Sequence, residues 1–476
     1  MLSVALQTLG CKLNQLESEA IAESFQLGGF RVLPPDDPAA DVIVVNTCTV
    51  TSRAEQKARR IIRRALKEHP SACVIVTGCY ARLDGKAIAS LEAAALDAEE
   101  AAVPRPCDRG PLPGRRLFVL SGEKSALLDL PRLLGDSPAL PGFLEEWAAG
   151  LGNAGRGDPF RFNVRDFSFH SRAFLKIQDG CDKRCSYCRV SLARGPSVSL
   201  EAGEVLSRLK ALEDAGFAEA VLTGVNISQY RDQGRDLGGL LEYLIAGTGR
   251  IGLRLSSIEP EGIRGSLLSV LGHPRIRPHF HLSIQSGSPG ILEKMRRTYG
   301  PEDLLSAAEF LRSRRDDPFL ACDIITGFPG ETEEDFTRTY DLCRRIGFAW
   351  IHAFPYSRRP GTEAYSLGKN VPERDAVRRV EALLALARAG RGDYIGRWIG
   401  KPLEAVIETN KKKNTGYMTA LSDNYLRLLI PLKGTPPRSP GSPLRCRIQT
   451  PLSPSECLHG PGDANGRFDA IAESLE

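Results

Sequence analysis

The sequence "IQDGCDKRCSYCR", residues 177–189, contains Cys181, Cys185 and Cys188, with three and then two residues between successive cysteines. It overlaps the end of the apolar run "AFLKIQ", which is typical of a buried strand. A structural zinc site needs four ligands, and His170 precedes the strand, so we expect it at the opposite end. The motif therefore predicts a metal site with one position left open, and zinc with a fourth ligand stays an alternative.

The whole chain has the composition of a folded multidomain protein. Its 476 residues predict two or three domains, and 42% hydrophobic with 25% charged residues exclude general disorder. A net charge of +5 is compatible with an anionic partner such as RNA. No apolar run reaches about 18 residues, so we expect no membrane span and a cytoplasmic location. In that reducing compartment the 12 cysteines are candidates for metal binding, catalysis or packing rather than disulfides.

Three apolar runs in the first hundred residues each end in a cysteine. "SVALQTLGC", "DVIVVNTC" and "ACVIVTGC" lead to Cys11, Cys48 and Cys79, and a helical pattern follows each run. Alternating strands and helices predict a parallel sheet, whose strands all end at one edge. We therefore expect the three cysteines to converge, although small buried packing residues are the alternative. Cys73 lies inside its strand and is predicted to belong to the core.

The helix after Cys48 combines a start signal with a run of basic residues. Ser52 and Glu55 fit a capping box, and an apolar stripe follows. Four of its arginines, at positions 59, 60, 63 and 64, form two adjacent pairs. These arginines fit either an RNA-binding surface or a solvated helix face, and the pattern alone does not choose between them.

Strands continue after the central cysteines in the pattern of a β/α barrel. Apolar runs recur at 219–226, 253–260, 279–287, 320–332 and 350–357, with helical stretches between them. Polar residues or glycines follow the strands, at the functional face of such barrels. Candidates for binding a cofactor or substrate are Asn226, Glu259, Gln285 and Ser286, each with a loop cap as its alternative. Gly327 and Gly330 would let the backbone come close to a ligand. Cys322 and Cys343 have no partner at ligand spacing and are predicted to be core residues.

The carboxyl-terminal residues change character after a helix at about 373–397. Short strands broken by "KKKNTG" and "KGTPPRSPGSP" predict a small β-barrel. Lysines 411–413 with Tyr417, Tyr425 and Arg427 fit RNA binding, while a solvated hairpin beside core tyrosines is the alternative. Residues after about 455 are polar and glycine-rich and are predicted to form a loose tail.

The central motif resembles that of radical S-adenosylmethionine (SAM) enzymes, including the aromatic Tyr187 before the last cysteine. In that family three cysteine thiolates hold a [4Fe–4S] cluster, and SAM binds the iron that lacks a protein ligand. One electron from the cluster cleaves SAM to a 5′-deoxyadenosyl radical. The resemblance implies that Tyr187 and the residues at the strand ends contact SAM.

Further motifs resemble the methylthiotransferases, radical SAM enzymes that insert sulfur and a methyl group into C–H bonds. The matching segments are "TLGCKLNQLESE", "VVNTCTVTSRAEQKARRIIRRA", "KIQDGCDKRCSYC", "LTGVNISQY", "SIQSGS", "DIITGFPGET", "PYSRRPGT" and "DNYLRLLI". The resemblance covers most of 1–95 and 165–432. It implies an α/β multidomain chain: a flavodoxin-like domain at 1–134, a partial (β/α)6 barrel at 165–396 and a TRAM-like RNA-binding β-barrel at 397–460.

The same resemblance implies two [4Fe–4S] clusters with separate tasks. Cys11, Cys48 and Cys79 would hold a second cluster, where one SAM methylates an attached sulfur. Another SAM would be cleaved at the cluster of the central motif, and the radical would remove hydrogen from the substrate carbon. An electron donor and a sulfur source are then required, and the sequence identifies neither.

The substrate implied by "GCKLNQLESE" and "LTGVNISQY" is N6-threonylcarbamoyladenosine beside the tRNA anticodon, modified at C2. A single-stranded anticodon loop can present its base to a pocket, which suits an RNA-binding carboxyl-terminal barrel. Alternatives are isopentenyladenosine in tRNA, an aspartate of a ribosomal protein, and an iron–sulfur RNA-binding protein without catalysis.

Two segments depart from the family pattern. After Cys188 the family usually continues with isoleucine and proline before Arg-Gly, whereas this chain has "RVSLARG", in which Arg194 and Gly195 match. This puts the local loop conformation in doubt. Residues 96–164 match poorly and contain Cys107, which has no assigned role.

Overall fold

The computed structural model describes residues 2–92, 112, 114–135, 140–151, 155, 157–167, 169–368, 370–408, 416–432, 439–452 and 468–475. Cys107 and lysines 411–413 lie outside the described residues. The first domain contains a five-stranded parallel sheet in the order β2-β1-β3-β4-β5. Its strands are β1 Ser3–Thr8, β2 Arg31–Leu33, β3 Val42–Thr47, β4 Cys73–Gly78 and β5 Leu117–Val119. Helices α1 Lys12–Leu27, α2 Ser52–Glu68 and α3 Cys79–Ala89 follow β1, β3 and β4. This is the predicted flavodoxin-like arrangement.

The start of α2 differs from the predicted capping box. Thr51, not Ser52, is the N-cap, and its hydroxyl accepts a hydrogen bond from the Ala54 amide at 3.1 Å. The Glu55 carboxylate instead accepts a hydrogen bond from the Thr49 hydroxyl at 2.6 Å. Buried arginines from the next domain also contact Glu55, so tertiary contacts have taken this side chain away from the helix end.

The second domain, called here the barrel domain, is a partial barrel of six parallel strands. They are β6 Ala173–Lys176, β9 Glu219–Thr223, β10 Gly252–Leu255, β11 His279–Gln285, β12 Phe319–Thr326 and β13 Trp350–Pro355. β6-β9-β10 and β11-β12-β13 form two sheets, and bridges such as Ile258 to Leu282 join them. β7 Gln178–Asp179 pairs with β8 Val198–Ser199 beside the cysteine motif. The predicted partial (β/α)6 barrel is confirmed.

Helices surround these strands, as expected for β/α units. The remaining α-helices are α4 Leu130–Leu134, α5 Leu140–Gly150, α6 Val190–Arg194, α7 Ala202–Asp214, α8 Leu237–Gly247, α9 Ser266–Val270, α10 Pro289–Lys294, α11 Pro301–Arg314, α12 Glu333–Ile346 and α13 Glu373–Trp398. Short 3-10 turns occupy Lys124–Leu128, Pro159–Arg161, Ile227–Gln229, Pro260–Gly262 and Glu363–Tyr365. No helix among the described residues is long and apolar enough to span a bilayer.

The carboxyl-terminal barrel is closed by five strands in the order β14-β15-β16-β18-β17. These are β14 Pro402–Glu408, β15 Tyr417–Ser422, β16 Arg427–Pro431, β17 Pro443–Pro451 and β18 Ala470–Ser474. The predicted small β-barrel is confirmed, but the loose tail is not, because β18 lies beyond residue 460. This strand fills the gap between β16 and β17 and so removes two exposed sheet edges.

The first two domains share one hydrophobic core. Phe25 and Phe118 of the first domain belong to the same buried cluster as Phe174 and Leu175 of the barrel domain. The other face of the first sheet packs against α2 and α3 in a separate cluster. The predicted core cysteines, Cys73, Cys322 and Cys343, are all buried. The shared core holds the ends of both sets of strands in a fixed relation.

Candidate active site: two cysteine triplets at a domain interface

The first triplet forms where three parallel strands end. Cys11 is the N-cap of α1, Cys48 follows β3, and Cys79 is the first residue of α3. Gly10 lies so close to the second of these loops that a Cβ there would stand 2.5 Å from the Cβ of Cys48. The predicted convergence of these cysteines is thus what the fold produces.

Side-chain hydrogen bonds fix the loops that carry this triplet. The Asn14 amide donates to the carbonyl oxygens of Leu9 at 2.7 Å and Thr47 at 3.0 Å, joining the ends of β1 and β3. Gly78 has φ of +99°, and a Cβ there would lie 2.3 Å from the Thr47 carbonyl oxygen. Only glycine suits that combination of positive φ and close approach. The Asn14 hydrogen bonds and the close approach of Gly78 to Thr47 therefore hold the three strand ends together.

The thiols of the first triplet interact with one another and with a cation. Burial raises the pKa of the Cys48 thiol to about 12, and the neighbouring Cys11 and Cys79 contribute to the rise. Arg194 acts in the opposite direction on the same thiol. Cys11 is exposed and Cys79 half-buried, whereas Cys48 is buried. Three convergent cysteines, of which the residue Cys11 is exposed, fit the ligand set of a [4Fe–4S] cluster.

The second triplet sits on a single loop after β7. The Cys181 amide donates to the Gly195 carbonyl at 2.9 Å, and the Cys188 amide to the Cys185 carbonyl at 3.1 Å. Gly180 has φ of +71°, and a Cβ there would overlap the Pro196 carbonyl oxygen at 1.8 Å. These contacts fold the loop back on itself, so that all three thiols are half-buried in one place.

N–H groups point at the sulfurs of this second triplet. The Arg297 guanidinium donates to the Cys185 sulfur at 3.2 Å, and the Val190 amide donates to the Cys188 sulfur at 3.4 Å. Burial raises the pKa of Cys188 to about 12. Hydrogen bonds to ligand sulfurs are a recognised means of setting the potential of an iron–sulfur cluster. The arrangement suits a redox cluster better than a structural ion.

A pocket of about 320 Å³ opens beside the second triplet. Asp182 and Lys183 of the cysteine loop line it together with Asn226 and Glu259, two of the predicted cofactor-binding residues. The Asn226 Oδ1 atom is buried and finds no hydrogen-bond partner among the described residues. Burial raises the pKa of Glu259, although the Arg297 guanidinium contacts its carboxylate and opposes the rise. Unsatisfied and charged groups in one pocket are typical of a polar ligand site.

The other predicted cofactor-binding residues do not line this pocket. Tyr187 packs against the cluster around Met295 and Phe328, and burial raises its pKa well above the usual value. Gln285 has φ of +62°, next to the irregularity in β11. The Ser286 hydroxyl is fully buried and lies 3.3 Å from the Thr339 hydroxyl. Packing between β11 and α12 therefore accounts for the position of Ser286.

The two predicted glycines, Gly327 and Gly330, have close neighbours where a Cβ would lie. A Cβ at Gly327 would stand 2.5 Å from the Ala376 Cβ, and one at Gly330 would stand 3.0 Å from the Lys294 amine. Both have positive φ, at +71° and +80°. At Gly327, glycine permits the close approach of α13; at Gly330, the positive φ favours glycine, because the Lys294 amine is the end of a flexible side chain. A SAM-binding role for these positions stays a prediction.

Buried ion pairs across the domain interface connect the two triplets. The Arg194 guanidinium donates to Glu17 at 2.9 Å and to Asp179 at 3.0 Å, and its charge acts on Cys11 and Cys79. The carboxylate of Glu17 also accepts from Lys124 at 2.5 Å and Lys176 at 3.2 Å. Asp179 lies two residues before the second triplet, so one buried network contacts the surroundings of both cysteine sites.

A second set of ion pairs joins the same domains. Arg189 pairs with Glu55 at 3.1 Å and with Asp84 at 3.0 Å, while Arg359 donates to the Thr49 hydroxyl at 2.8 Å and also contacts Glu55. The sequence patterns did not identify these residues. The signal that could have indicated buried pairs is a charge inside an apolar element, such as the lysine in "AFLKIQ".

The departure from the family pattern after Cys188 is accommodated as a short helix. "RVSLARG" supplies the N-cap and the whole of α6, and its Arg194 enters the network just described. Val190 occupies the position of the usual proline and uses its N–H to contact the Cys188 sulfur. The sequence change therefore leaves the loop intact and adds a donor to the site.

The zinc alternative has no support from His170. Its Nδ1 atom lies 2.6 Å from Glu19, at the end of β6 away from Cys181. Among the described residues, no three His, Cys, Asp or Glu side chains are placed to share one metal ion. A [4Fe–4S] cluster distributes its ligands over several irons, so this finding does not bear on it.

The predicted RNA-binding residues of the carboxyl-terminal barrel divide into two groups. Tyr425 stacks on His279, with ring centroids 3.9 Å apart, and the Arg254 guanidinium lies 5.3 Å from its ring. Tyr425 is therefore a packing residue between two domains, which agrees with the alternative of core tyrosines. Tyr417 and Arg427 are the first residues of β15 and β16 and are half-buried.

Comparisons with known proteins define the class. Residues 175–343 match the Radical SAM superfamily, and residues 3–97 match the Uncharacterized protein family UPF0004. With the cysteine loop at the end of a partial barrel, this makes the chain a radical SAM protein. The threonylcarbamoyladenosine tRNA methylthiotransferase of Treponema pallidum is 42% identical over 94% of this chain and 98% of the relative.

Further relatives extend the match to two branches. The enzyme of the same name from Aquifex aeolicus is 35% identical over 89% of this chain and 97% of the relative. The tRNA-2-methylthio-N(6)-dimethylallyladenosine synthase of Anaplasma marginale is 31% identical over 84% of each. The chain belongs to the methylthiotransferase family of radical SAM enzymes. Membership confirms the predicted enzyme class, with SAM and [4Fe–4S] clusters as cofactors.

Proposed function

We propose that this enzyme adds a methylthio group to C2 of N6-threonylcarbamoyladenosine, next to the anticodon of tRNA. The relatives that carry this activity in their names match nearly the full chain. The observation that carries the proposal is the presence of two cysteine triplets at one interface, joined by the network of Arg194, Glu17 and Asp179. A reaction with a methylated sulfur and a substrate radical needs two such centres close together.

The two triplets are built for different tasks. When bound there, the clusters and SAM supply the electron, the radical, the methyl group and a place for sulfur to attach. Cys11 is exposed at the first site, so a sulfur species and a large substrate can reach it. The second site is half-buried, and it has the adjoining polar pocket. The adjoining pocket thus distinguishes the second site as the one that can hold a small polar ligand.

Residues of the pocket provide the groups that a SAM molecule needs. Glu259 offers a carboxylate, and Asn226 an unpaired oxygen, to an ammonium group. Lys183, which pairs with Glu261 at 2.6 Å, adds a cation to the same pocket. The Arg297 guanidinium orients Glu259 and at the same time donates to the Cys185 sulfur. Arg297 is therefore a positioning residue between ligand pocket and cluster site.

The partners follow from this chemistry. The tRNA anticodon loop presents the base, a one-electron donor reduces the radical site, and a sulfur source supplies the first site. A tRNA substrate supports the expectation of a cytoplasmic enzyme.

Nucleoside mass spectrometry of tRNA tests the proposal. A strain lacking this gene is complemented with the wild type or with Cys181/Cys185/Cys188→Ala. We expect the strain to accumulate N6-threonylcarbamoyladenosine and to regain its 2-methylthio derivative only with the wild type. Loss of the methylthio derivative of isopentenyladenosine instead would move the enzyme to the other tRNA branch. An unchanged tRNA profile would refute a role in tRNA modification, and the ribosomal proteins would then be analysed.

A further inference from the structure

Helix α2 carries an unusual share of the charge of this protein. Its 17 residues contain seven arginines and lysines and two glutamates, which gives a net charge of +5. The entire chain also has a net charge of +5, so the remaining residues sum to zero. The basic character of the protein is therefore concentrated in one helix of the first domain.

The acidic Glu55 and the basic residues of α2 lie on different faces of the helix. Glu55 points inward, where it is buried against Arg189 and Arg359. The exposed positions include Arg53, Lys57, Arg60, Arg63, Arg64 and Lys67. We call these six residues the cationic face. Within the described residues, only Arg64 of this face forms ion pairs, with Asp36 at 3.5 Å and Glu68 at 2.7 Å. Most of the positive charge is available to a partner.

The cationic face begins at the mouth of the candidate active site. Helix α2 starts four residues after Cys48, and the Ser52 amide donates to the Ser357 hydroxyl beyond the end of β13 at 2.9 Å. Val50, which lies between Cys48 and Ser52 in the sequence, is 57% exposed. From there the helix extends for about 25 Å. A substrate bound at the first triplet could thus continue along this face without leaving the protein surface.

The spacing and the adjoining surface suit a chain of phosphates. Arg53, Lys57, Arg60 and Arg64 follow one another at intervals of four, three and four residues, which puts neighbouring side chains about 5–6 Å apart. A pocket of about 160 Å³ beside them is lined by Lys57, Arg60 and Arg64, and Asp36 is its one carboxylate. A row of cations with a shallow pocket is the footprint expected for a nucleic-acid backbone.

We infer that the cationic face of α2 binds the phosphate backbone of the tRNA substrate while the modified base occupies the site between the triplets. This inference rests on the proposed function, which supplies RNA as the substrate class. It assigns tRNA binding to the first domain, in addition to any binding by the carboxyl-terminal barrel. Such contacts orient the RNA and carry no sequence information.

The test measures RNA affinity as a function of salt. The variant Arg53→Gln/Lys57→Gln/Arg60→Gln removes three charges, and Lys210→Gln/Arg345→Gln/Arg388→Gln removes three exposed charges from α7, α12 and α13 as a matched control. The probe is full-length tRNA bearing N6-threonylcarbamoyladenosine, purified from the deletion strain. Iron content and thermal midpoint establish that both variants are folded and loaded.

We expect the α2 variant to bind this tRNA at least about tenfold more weakly than the wild type at low salt, and the slope of log Kd against log salt to fall by about 3. The control variant should keep the wild-type slope. A charge-preserving variant, Arg53→Lys/Lys57→Arg/Arg60→Lys, should bind this tRNA with about the wild-type affinity. Equal slopes for the α2 and control variants would overturn the inference.

A different partner for the cationic face, an acidic electron-donor protein, gives a distinct result. In that case tRNA affinity would stay at the wild-type value, and methylthiolation by the α2 variant would fail with the protein donor but proceed with dithionite. This result would overturn RNA binding by the face. Failure of the proposed function is visible separately, because the wild type itself would then leave this tRNA unmodified.

Discussion

The two cysteine triplets each bring three thiols together, but they are assembled in different ways. Cys181, Cys185 and Cys188 come from one loop, whose own backbone hydrogen bonds shape it. The cysteines of the first triplet come from three strand ends, and a buried arginine from the other domain, Arg194, acts on Cys11 and Cys48. One site is local in sequence, whereas the other exists only when the sheet of the first domain has formed.

This difference teaches which changes each site should tolerate. A local loop depends on its own turns and on one neighbouring arginine, so distant changes should leave it loaded. A site assembled from three strands depends on sheet register, on glycines that allow close approach, and on the domain interface. Substitutions at the two sites should therefore differ in how many clusters they remove.

The largest expected effect is the loss of one cluster with its own activity. Wild type should bind about eight irons per chain after anaerobic reconstitution, and either triple cysteine-to-alanine variant about four. The variant of Cys181, Cys185 and Cys188 should lose reductive SAM cleavage, while that of Cys11, Cys48 and Cys79 should keep cleavage and lose methylthiolation. Iron and sulfide analysis with product chromatography checks this. About four irons in the wild type would mean that one triplet holds no cluster.

Substitution of a single glycine at either site should remove one cluster and leave the other bound. Gly78→Ala puts a Cβ 2.3 Å from the Thr47 carbonyl oxygen at φ of +99°, so we expect the first cluster to be lost. Gly180→Ala should lose the second, because its Cβ would overlap the Pro196 carbonyl. Strained backbone alone costs about 1–3 kcal/mol.

The matched control for these glycines is Gly290→Ala, since nothing lies within 4 Å of its Cβ position. Iron per chain and the electron paramagnetic resonance signal of each cluster are measured. If Gly78→Ala removed both clusters, the sites would not be independent.

Arg194→Met should weaken the interface and the first site together. It leaves Glu17 and Asp179 with fewer buried partners, and breaking a buried pair typically costs about 3–5 kcal/mol. Urea unfolding of the protein without clusters measures this cost, with exposed Arg345→Met as the control. A loss below about 1 kcal/mol, the range of an exposed pair, would mean that the network is dispensable for docking.

Lowering the pH should destabilise the protein through the network of Glu17 and Arg194, with a smaller effect than Arg194→Met. Burial alone would raise the pKa of Glu17, but Arg194, Lys124 and Lys176 hold it well below the usual 4.5. The stability that this carboxylate contributes is therefore complete above pH 4.5 and is lost as the pH falls toward its lowered pKa. Urea midpoints between about pH 6.5 and 3.5 should fall less steeply for Arg194→Met than for the wild type. Identical pH dependence would exclude the network as the source.

The smallest expected effect concerns the residue that replaces the usual proline. Val190→Pro removes the N–H that donates to the Cys188 sulfur at 3.4 Å, and proline is well suited to the first position of a helix such as α6. We expect the second cluster to stay bound and its reduction potential to fall, because a donor to a ligand sulfur is lost. Val190→Ala keeps the N–H and serves as the control in a potentiometric titration. Equal potentials for the two variants would show that this contact does not tune the cluster.

Much of the fold was predictable because its signals are local. The apolar runs before Cys11, Cys48 and Cys79 predicted a parallel sheet, and the rule that parallel strands end at one edge predicted their convergence. By contrast, β18 was missed because its short alternating pattern follows a polar, glycine-rich stretch. The cap of α2 was misassigned because Glu55 serves the domain interface instead.

The candidate site shows the same division. Asn226 and Glu259 were predicted from their places after strands, and both line the pocket beside the second triplet. Ser286 fits the same rule, yet it is buried against Thr339. Position after a strand brings a residue to the functional face, but side-chain packing decides whether it faces the pocket.

The sequence by itself determined the second triplet, the strand ends that carry Cys11, Cys48 and Cys79, and the α/β architecture, because cysteine spacing and strand periodicity are short-range properties. Only the tertiary structure decided that Arg194 acts on the first triplet and that Arg297 contacts the second. These contacts join residues far apart in the chain, and no local pattern encodes them. Buried ion pairs fix both arginines, between the domains for Arg194 and within the barrel domain for Arg297, and their energy depends on the complete fold.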